Sequence, residues 1–244
     1  MKKRTVQSLA ESVGNIWKGL QAKYTREGKF NVAAPLSSTP IPIYHWIIEN
    51  ATQFENWEKV NFVLMDEMLQ GDNKPFKYIP VDDSASYEGF AKRNLLEPLY
   101  AKVSIKMNII KPDLSLIDDF DTPIDLLILA LGIKGNYANV MPYTPEETRW
   151  HISHLIPEFR LSHTQKGSHS FEGAYFRDYG MSLGHKQVLE AKNVIVVISG
   201  EKKRALTQQL LSYTTFHTEF PLSIIYHPKV TNRVNVFITK EVLE

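Results

Sequence analysis

Residues 124–131, IDLLILAL, form the most apolar run in the chain, and Gly132 follows the run at once. Three comparable runs are residues 30–34 (FNVAA), 60–65 (VNFVLM) and 194–199 (VIVVIS). Apolar runs of this length, rich in Val, Ile and Leu, are typical of strands that are buried on both faces of a parallel sheet. We therefore predict that these four runs are neighbouring strands of one mainly parallel sheet.

Helical patterns separate the apolar runs. Residues 5–24 carry apolar side chains at a spacing of three and four, and residues 84–99 and 202–213 predict further helices. Two short apolar runs near the end, 222–226 and 234–238, predict two more strands. Strands that alternate with helices predict an α/β fold of three layers, with a Rossmann-like, mainly parallel sheet and helices on both faces.

The composition limits the classes of partner that we expect. The chain has 244 residues, of which 43% are hydrophobic, and no linker divides it, so residues 1–244 are expected to form a single domain. Lys and Arg total 28 against 27 for Asp and Glu, which predicts no general attraction to nucleic acid or to a membrane surface. An anionic ligand would therefore have to be held by local groups.

The absence of cysteine and the residues at the N-terminus indicate in which cellular compartment we expect the protein. The chain has no cysteine, which excludes disulfides, thiolate catalysis and cysteine-ligated zinc. The basic residues at the start precede no apolar stretch of the kind found in a secretory signal, and no run approaches the ~18 apolar residues of a membrane helix. We expect a cytoplasmic protein without a bound metal or cofactor, and the sequence leaves a homo-oligomer possible.

Two polar segments follow predicted strands. In open parallel sheets, ligands bind beyond the carboxyl ends of the strands. Ser37, Ser38 and Thr39 offer hydroxyls and backbone N–H groups that can cradle a phosphate, or they form a plain turn that caps the next helix. Asp66 and Glu67 follow another strand, where a carboxylate can transfer a proton on a bound sugar, or where both acids face water.

Two further segments offer glycine and positive charge. Residues 132–136, GIKGN, follow the longest strand, and glycine there allows close approach of the backbone to a ligand, or simply a tight turn. Residues 202–204, KKR, stand at a predicted helix start. Three cations there oppose the helix dipole, which favours a nearby anion, although a solvated basic turn explains them equally well.

Taken in order along the chain, these segments resemble the glucosamine-6-phosphate deaminase and 6-phosphogluconolactonase superfamily. Residues 38–40, STP, match the end of its G-S-T-P loop, and residues 66–67 match its Asp-Glu pair. Residues 125–142, DLLILALGIKGNYANVMP, align without a gap with its D-L-x-L-L-G-x-G-x-D-G-H-x-A-x-x-x-P segment. Residues 189–206 resemble its strand and G-x-x-K-A helix, so that the likeness covers roughly residues 25–240.

The resemblance also shows where this chain departs from the family. The Asp and His of the family's D-G-H, which the resemblance implies are catalytic, are replaced by Lys134 and Asn136, and Met141 stands where deaminases have an acid. Of the proton-transfer groups only Asp66 remains, with Glu67 beside it. The candidate catalytic residues are therefore these two acids together with Lys134 and Asn136.

The phosphate-binding positions are better matched. The resemblance implies that Ser37, Ser38 and Thr39 contact the phosphate from the first loop, and that Lys203 contacts it from the G-x-x-K turn. Arg160 corresponds to an arginine that follows the family's long loop. We predict that the loop hydroxyls and Lys203 converge on one anion.

Three functions remain open at this point. In the first, the chain is a sugar-phosphate isomerase or deaminase in which Asp66 is the base, and Lys134 or Asn136 polarises a carbonyl. Lys134 should then lie close enough to lower the pKa of Asp66. In the second, the chain is a non-catalytic sugar-phosphate sensor or a partner-binding relative. The third, a 6-phosphogluconolactonase, is least favoured because Asn136 cannot act as a base towards water.

Overall fold

The computed structural model describes residues 1–71, 74–164 and 177–244 of the chain. The strands are β1 Lys2–Val6, β2 Phe30–Ala33, β3 Val60–Val63, β4 Asp66–Gln70, β5 Lys77–Tyr78, β6 Asn108–Ile110, β7 Leu126–Ala130, β8 His151–His154, β9 Tyr179–Ser182, β10 Val194–Ile198 and β11 Val234–Thr239. The α-helices are α1 Leu9–Glu27, α2 Ile41–Glu49, α3 Tyr87–Ala91, α4 Glu97–Val103, α5 Pro157–Thr164, α6 His185–Glu190, α7 Arg204–Ser212 and α8 Lys240–Leu243.

The central sheet has seven strands in the order β1-β11-β10-β7-β2-β3-β6, and each neighbouring pair is parallel. The four strands that the apolar runs predict are β2, β3, β7 and β10, and they lie side by side. The prediction of one mainly parallel sheet is therefore confirmed. From β2 the chain progresses through β3 to β6, whereas from β7 it progresses in the opposite direction, so the strand order reverses between β2 and β7.

The three-layer arrangement follows from the alternation of side chains along the strands. On β7, Leu126 and Ile128 belong to one hydrophobic core, in which α1 and α2 pack against the sheet. Leu127 and Leu129 belong to a second core on the opposite face, with residues of α6, α7 and α8. Both faces of the sheet are therefore covered by helices, which confirms the predicted fold class.

A second sheet, which the sequence did not predict, lies beside the first. It has four antiparallel strands in the order β5-β4-β9-β8. We expected residues 60–65 to form one strand that Asp66 ends, but β3 stops at Val63, and Asp66 is the first residue of β4. The apolar residues Leu64 and Met65 connect the two sheets and are buried, so hydrophobicity alone could not reveal the break between them.

Three other predictions differ from the structure. The predicted strand 222–226 is wrong, because Pro221–Tyr226 is a buried 3₁₀ helix, and a short buried apolar run does not distinguish the two. The first predicted helix begins at Leu9, since the polar residues before it form the exposed edge strand β1. The predicted helix 84–99 contains a π-helical turn, Lys92–Leu96.

Nowhere in the described ranges is a helix long and apolar enough to cross a membrane.

Candidate functional site

A cavity of about 190 Å³ lies where the strand order reverses, beyond the carboxyl ends of β2 and β7. This is the position at which open α/β sheets bind ligands. The polar or partly polar side chains that line the cavity are those of Ser37, Ser38, Thr39, Asp66, Tyr87, Asn136, Tyr137 and Lys203. The remaining wall is largely apolar and includes Leu36, Met65, Leu131, Ile133 and Phe159. The cavity thus brings together six of the candidate site residues, namely Ser37, Ser38, Thr39, Asp66, Asn136 and Lys203.

The loop that carries the hydroxyl groups is held from both ends. β2 ends at Ala33, and the Tyr44 hydroxyl of α2 donates a hydrogen bond of 2.5 Å to the carbonyl of Pro35. At the other end the carbonyl of Ser38 accepts from Ile41 N–H at 3.2 Å. The hydroxyls of Ser37, Ser38 and Thr39 bond to no other residue in the described ranges, so they are available to a ligand.

Lys203 lines the same cavity from the turn that follows β10. The chain leaves β10 through Gly200, whose φ of 93° is a conformation that favours glycine, and then forms a 3₁₀ turn that contains Lys203. Lys203 is half-buried, and burial lowers the pKa of its ammonium to about 8. Within the described parts of the chain, the lysine has no carboxylate partner, so those parts supply no anion to offset its desolvation.

Asp66 is the one carboxylate among the described residues that line the cavity. Its side chain is 6% exposed, and its Oδ1 atom is buried without a hydrogen-bond partner in the described structure. Burial raises the pKa of Asp66 well above its ordinary value, and the neighbouring charge of Glu67 raises this pKa further. A carboxyl group whose pKa is strongly perturbed in a cavity is a candidate for proton transfer.

Glu67 has a different environment from Asp66. Its carboxylate accepts hydrogen bonds from the backbone N–H groups of Met68, Tyr87 and Glu88, each at 2.8 Å, and from the Ser86 hydroxyl at 2.9 Å. The side chain does not line the cavity. Burial raises the pKa of Glu67, although these hydrogen bonds act in the opposite direction. Glu67 therefore fixes the start of α3 and sets the charge environment of Asp66.

Asn136 lines the cavity but is also part of its own loop. Its side-chain amide donates to the carbonyl of Ala138 at 3.2 Å, and its Oδ1 accepts from Lys134 N–H at 3.3 Å. Gly132 makes this arrangement possible, because a Cβ atom at that position would lie 2.2 Å from Asn136 Oδ1. One N–H of the Asn136 amide has no partner within the described structure and can donate to a ligand.

Besides Glu67, two more candidate residues do not line the cavity. Lys134 is exposed and lines a neighbouring depression of about 640 Å³ that also contains Glu158 and Glu219. The expectation that Lys134 lowers the pKa of Asp66 is wrong, because desolvation and the charge of Glu67 raise that pKa. Arg160 lies on α5, where its guanidinium group forms an ion pair with Asp178.

Two aromatic residues of the cavity were not predicted as site residues from the sequence. Tyr87 lies within the predicted helix 84–99, at the start of α3, and its backbone N–H donates to Glu67. Tyr137 is 1% exposed, and its hydroxyl is hydrogen-bonded to His185 Nδ1 at 2.7 Å. Burial lowers the pKa of His185 to about 4, so His185 is neutral at pH 7. No local sequence signal connects Tyr137 with a histidine 48 residues away.

Known proteins with similar sequences point to one family. A family model described as glucosamine-6-phosphate isomerases/6-phosphogluconolactonase matches residues 2–234. The chain is 26% identical over 215 residues to a glucosamine-6-phosphate deaminase of Bacillus cytotoxicus, with 84% of this chain and 75% of the relative covered. It is 28% identical over 204 residues to a glucosamine-6-phosphate deaminase of Streptococcus pneumoniae serotype 4, with 80% of each chain covered.

Solved structures with the same fold agree with this result. A monomeric glucosamine-6-phosphate deaminase superimposes with a TM-score of 0.79 at 20% identity, covering 99% of this chain and 98% of the other. A 6-phosphogluconolactonase from Thermotoga maritima superimposes with a TM-score of 0.66 at 18% identity, covering 98% and 99%. These structures support the fold, and the family model spans nearly the whole sequence. The chain belongs to the glucosamine-6-phosphate isomerase/6-phosphogluconolactonase family.

Proposed function

We propose that residues 1–244 act as one domain that binds a phosphorylated sugar in the cavity at the strand reversal. The phosphate binds to the hydroxyl loop formed by Ser37, Ser38 and Thr39 and to the ammonium of Lys203. The reacting carbons of the sugar lie next to Asp66. Membership of the family supports this class of ligand, and so does a desolvated cation beside hydroxyl groups without partners.

The reaction that we propose is aldose–ketose isomerisation or deamination of a 6-phosphorylated sugar or amino sugar. Asp66 removes a proton from the carbon next to the carbonyl of the open-chain sugar and returns it to the neighbouring carbon. The electrons of the C2–H bond become the C1–C2 double bond while the carbonyl electrons move onto O1, which accepts a hydrogen bond from the free N–H of Asn136. On a hydroxy sugar the O2–H proton passes to O1, and the C2 carbonyl forms as C1 takes the proton from Asp66. On an amino sugar an N–H proton passes to O1 instead, and the resulting C2 imine is hydrolysed by water to the ketone with release of ammonia. Asn136 thus takes the polarising role, since Lys134 lines another depression.

One observation carries the proposal, namely the buried Oδ1 atom of Asp66 without a partner in the described structure. Buried polar atoms are nearly always hydrogen-bonded, and an unpartnered carboxylate oxygen is costly to keep. Its position in a cavity supports the inference that a bound sugar supplies the missing contact. This contact is either a hydroxyl donor or the C–H group from which Asp66 takes the proton. A carboxylate that served only the fold would be satisfied as Glu67 is, by four hydrogen bonds.

The second candidate function is a non-catalytic sugar-phosphate sensor or partner-binding relative. It is favoured by the replacement of the family's Asp and His by Lys134 and Asn136. The described cavity then holds a single titratable carboxylate, whereas four of the five predicted phosphate contacts line it, namely Ser37, Ser38, Thr39 and Lys203. A lactonase is less favoured, because Asn136 cannot take a proton from water. A cytoplasmic location and a homo-oligomer remain predictions from the sequence.

Activity and binding assays distinguish these functions. Glucosamine 6-phosphate deamination, exchange between glucose 6-phosphate and fructose 6-phosphate, and 6-phosphogluconolactone hydrolysis are measured on the wild type, Asp66→Asn and Lys134→Ala. We expect isomerase or deaminase turnover that falls by about 10²–10⁴-fold in Asp66→Asn, with little change in Lys134→Ala. Calorimetry measures whether the same sugar phosphates bind.

Each other outcome has a definite meaning. Turnover that survives in Asp66→Asn removes Asp66 from the role of base. Sugar-phosphate binding without turnover in any assay selects the sensor. Robust lactone hydrolysis overturns the assignment of Asn136, and the absence of any sugar-phosphate binding refutes the proposed ligand class.

A further inference from the structure

The turn that presents Lys203 is tied to the last residues of the chain. A single carboxylate oxygen, Oε1 of Glu241, accepts three hydrogen bonds. The donors are Gly200 N–H at 3.2 Å, the Ser199 hydroxyl at 3.4 Å and the Thr239 hydroxyl at 2.5 Å. Two of these three donors belong to the turn between β10 and Lys203, so Glu241 joins this turn to the end of β11.

A second contact joins the same two segments. The guanidinium of Arg204 donates to the backbone carbonyl of Glu241 at 3.2 Å. The short helix α8 that carries Glu241 is itself anchored, because Val242 is fully buried in the hydrophobic core on that face of the sheet. The turn is therefore held against a fixed part of the fold, although Glu241 is exposed.

The turn needs such support because its first part, at Gly200, has no side chain that packs against the rest of the protein. Gly200 has a φ of 93°, and a Cβ atom at this position would meet no atom within 4 Å apart from its chain neighbours, so no side-chain packing at Gly200 restrains the turn. Lys203 follows three residues later, is half-buried and has no anionic partner among the described residues. A half-buried ammonium without a partner gains free energy by moving into water, so the unrestrained turn would carry Lys203 out of the cavity.

We propose that Glu241 is a positioning residue for the anion site, holding the turn of residues 199–203 in the conformation that keeps Lys203 in the cavity. The inference rests on the proposed sugar-phosphate function and adds a residue to it. Thr239 and Glu241 lie beyond residue 234, where the match to the family model ends. The family resemblance therefore does not supply this contact. The carboxylate acts through its acceptor oxygen, and a neutral amide at the same position retains that oxygen.

Calorimetric titration of inorganic phosphate and of glucosamine 6-phosphate into the full chain tests the proposal. We expect Glu241→Ala to raise the dissociation constant of each ligand on the order of tenfold, since a tenfold loss corresponds to about 1.4 kcal/mol, the size of one hydrogen bond. Glu241→Gln should stay within about threefold of the wild type, because the amide oxygen still accepts from Gly200 N–H. Glu244→Ala is the matched control, an exposed acid of the same segment.

Thermal unfolding without ligand separates positioning from general stability. A merely structural role would lower the melting temperature of Glu241→Ala and leave the dissociation constants unchanged, and this outcome overturns the proposal. Equal losses of affinity in Glu241→Ala and Glu244→Ala, or no rescue by Glu241→Gln, also overturn it. Thr239→Val provides a second test, because it removes the shortest contact to Glu241 and should weaken phosphate binding in the same direction. Failure of the wild type to bind either ligand refutes the anion site itself.

Discussion

Replacing Lys203 by methionine tests whether the cavity holds an ammonium that lacks an anion. Burial lowers the pKa of this lysine from an ordinary 10.5 to about 8. Since one pKa unit corresponds to about 1.4 kcal/mol, the desolvated charge costs about 3 kcal/mol of folding free energy below pH 8. Methionine has a similar length and no charge. We therefore expect Lys203→Met to be more stable than the wild type at pH 7, by up to about 3 kcal/mol.

The pH dependence follows from the protons bound in each state. Between about pH 8 and pH 10.5 the unfolded lysine keeps its proton and the folded one loses it, so the free energy of unfolding rises with pH. From pH 7 to about pH 9.5 the wild type should gain about 2 kcal/mol that Lys203→Met does not gain. Urea denaturation at both pH values measures the difference, and Lys202→Met, at an exposed position of the same turn, is the control.

Phosphate should reverse the order of stabilities. An anion beside Lys203 favours its charged form, and a ligand at a hundred times its dissociation constant adds about 2.7 kcal/mol to the wild type. Lys203→Met should gain much less from the same phosphate concentration. The reasoning is refuted if Lys203→Met is no more stable than the wild type at pH 7, or if the two proteins have the same pH slope. It is also refuted if phosphate stabilises both equally.

Three further substitutions test the other parts of the cavity. Asp66→Asn should raise the melting temperature at neutral pH by about 2–4 °C, roughly 1 kcal/mol. The raised pKa makes the folded state bind the proton more tightly, so stability falls as pH rises above the ordinary 3.8, and the gain should vanish below that pH in a pH series of thermal scans. Glu67→Ala should destabilise the fold by about 3 kcal/mol or more, because four buried donors lose their acceptor, and urea unfolding that shows a cost below about 1 kcal/mol would contradict this role. Gly132→Ala should weaken sugar-phosphate binding in calorimetry, because the new Cβ atom would lie 2.2 Å from the Asn136 side chain. Gly19→Ala is the control and should leave binding unchanged, because its Cβ atom would meet nothing within 4 Å.

The sequence by itself determined the four central strands of the main sheet. The runs that became β2, β3, β7 and β10 are apolar on both faces, and only a sheet covered on both sides can bury such strands. Because ligands bind beyond the carboxyl ends of parallel strands, the same pattern marked the hydroxyl loop, Asp66 and residues 132–136 as candidate site segments. Local chemistry was sufficient for these statements, since each depends on the residues of one segment.

Contacts between distant segments were decided only by the tertiary structure. The sequence placed Asp66 and Glu67 side by side with Asp66 as the expected base, and the packing of α3 satisfies Glu67 while Asp66 Oδ1 has no partner in the described structure. The turn at Gly132 placed Asn136 in the cavity and Lys134 in the neighbouring depression, which reversed our expectation about the pKa of Asp66.

The second sheet and the anchoring of the Lys203 turn by Glu241 also lie beyond sequence reasoning. β4 pairs with a strand more than a hundred residues away, and Glu241 lies about forty residues from Gly200 along the chain. The composition of a segment determines how strongly it favours burial or a given backbone conformation. Which buried oxygen finds a donor depends on the positions of groups that only the folded chain brings together.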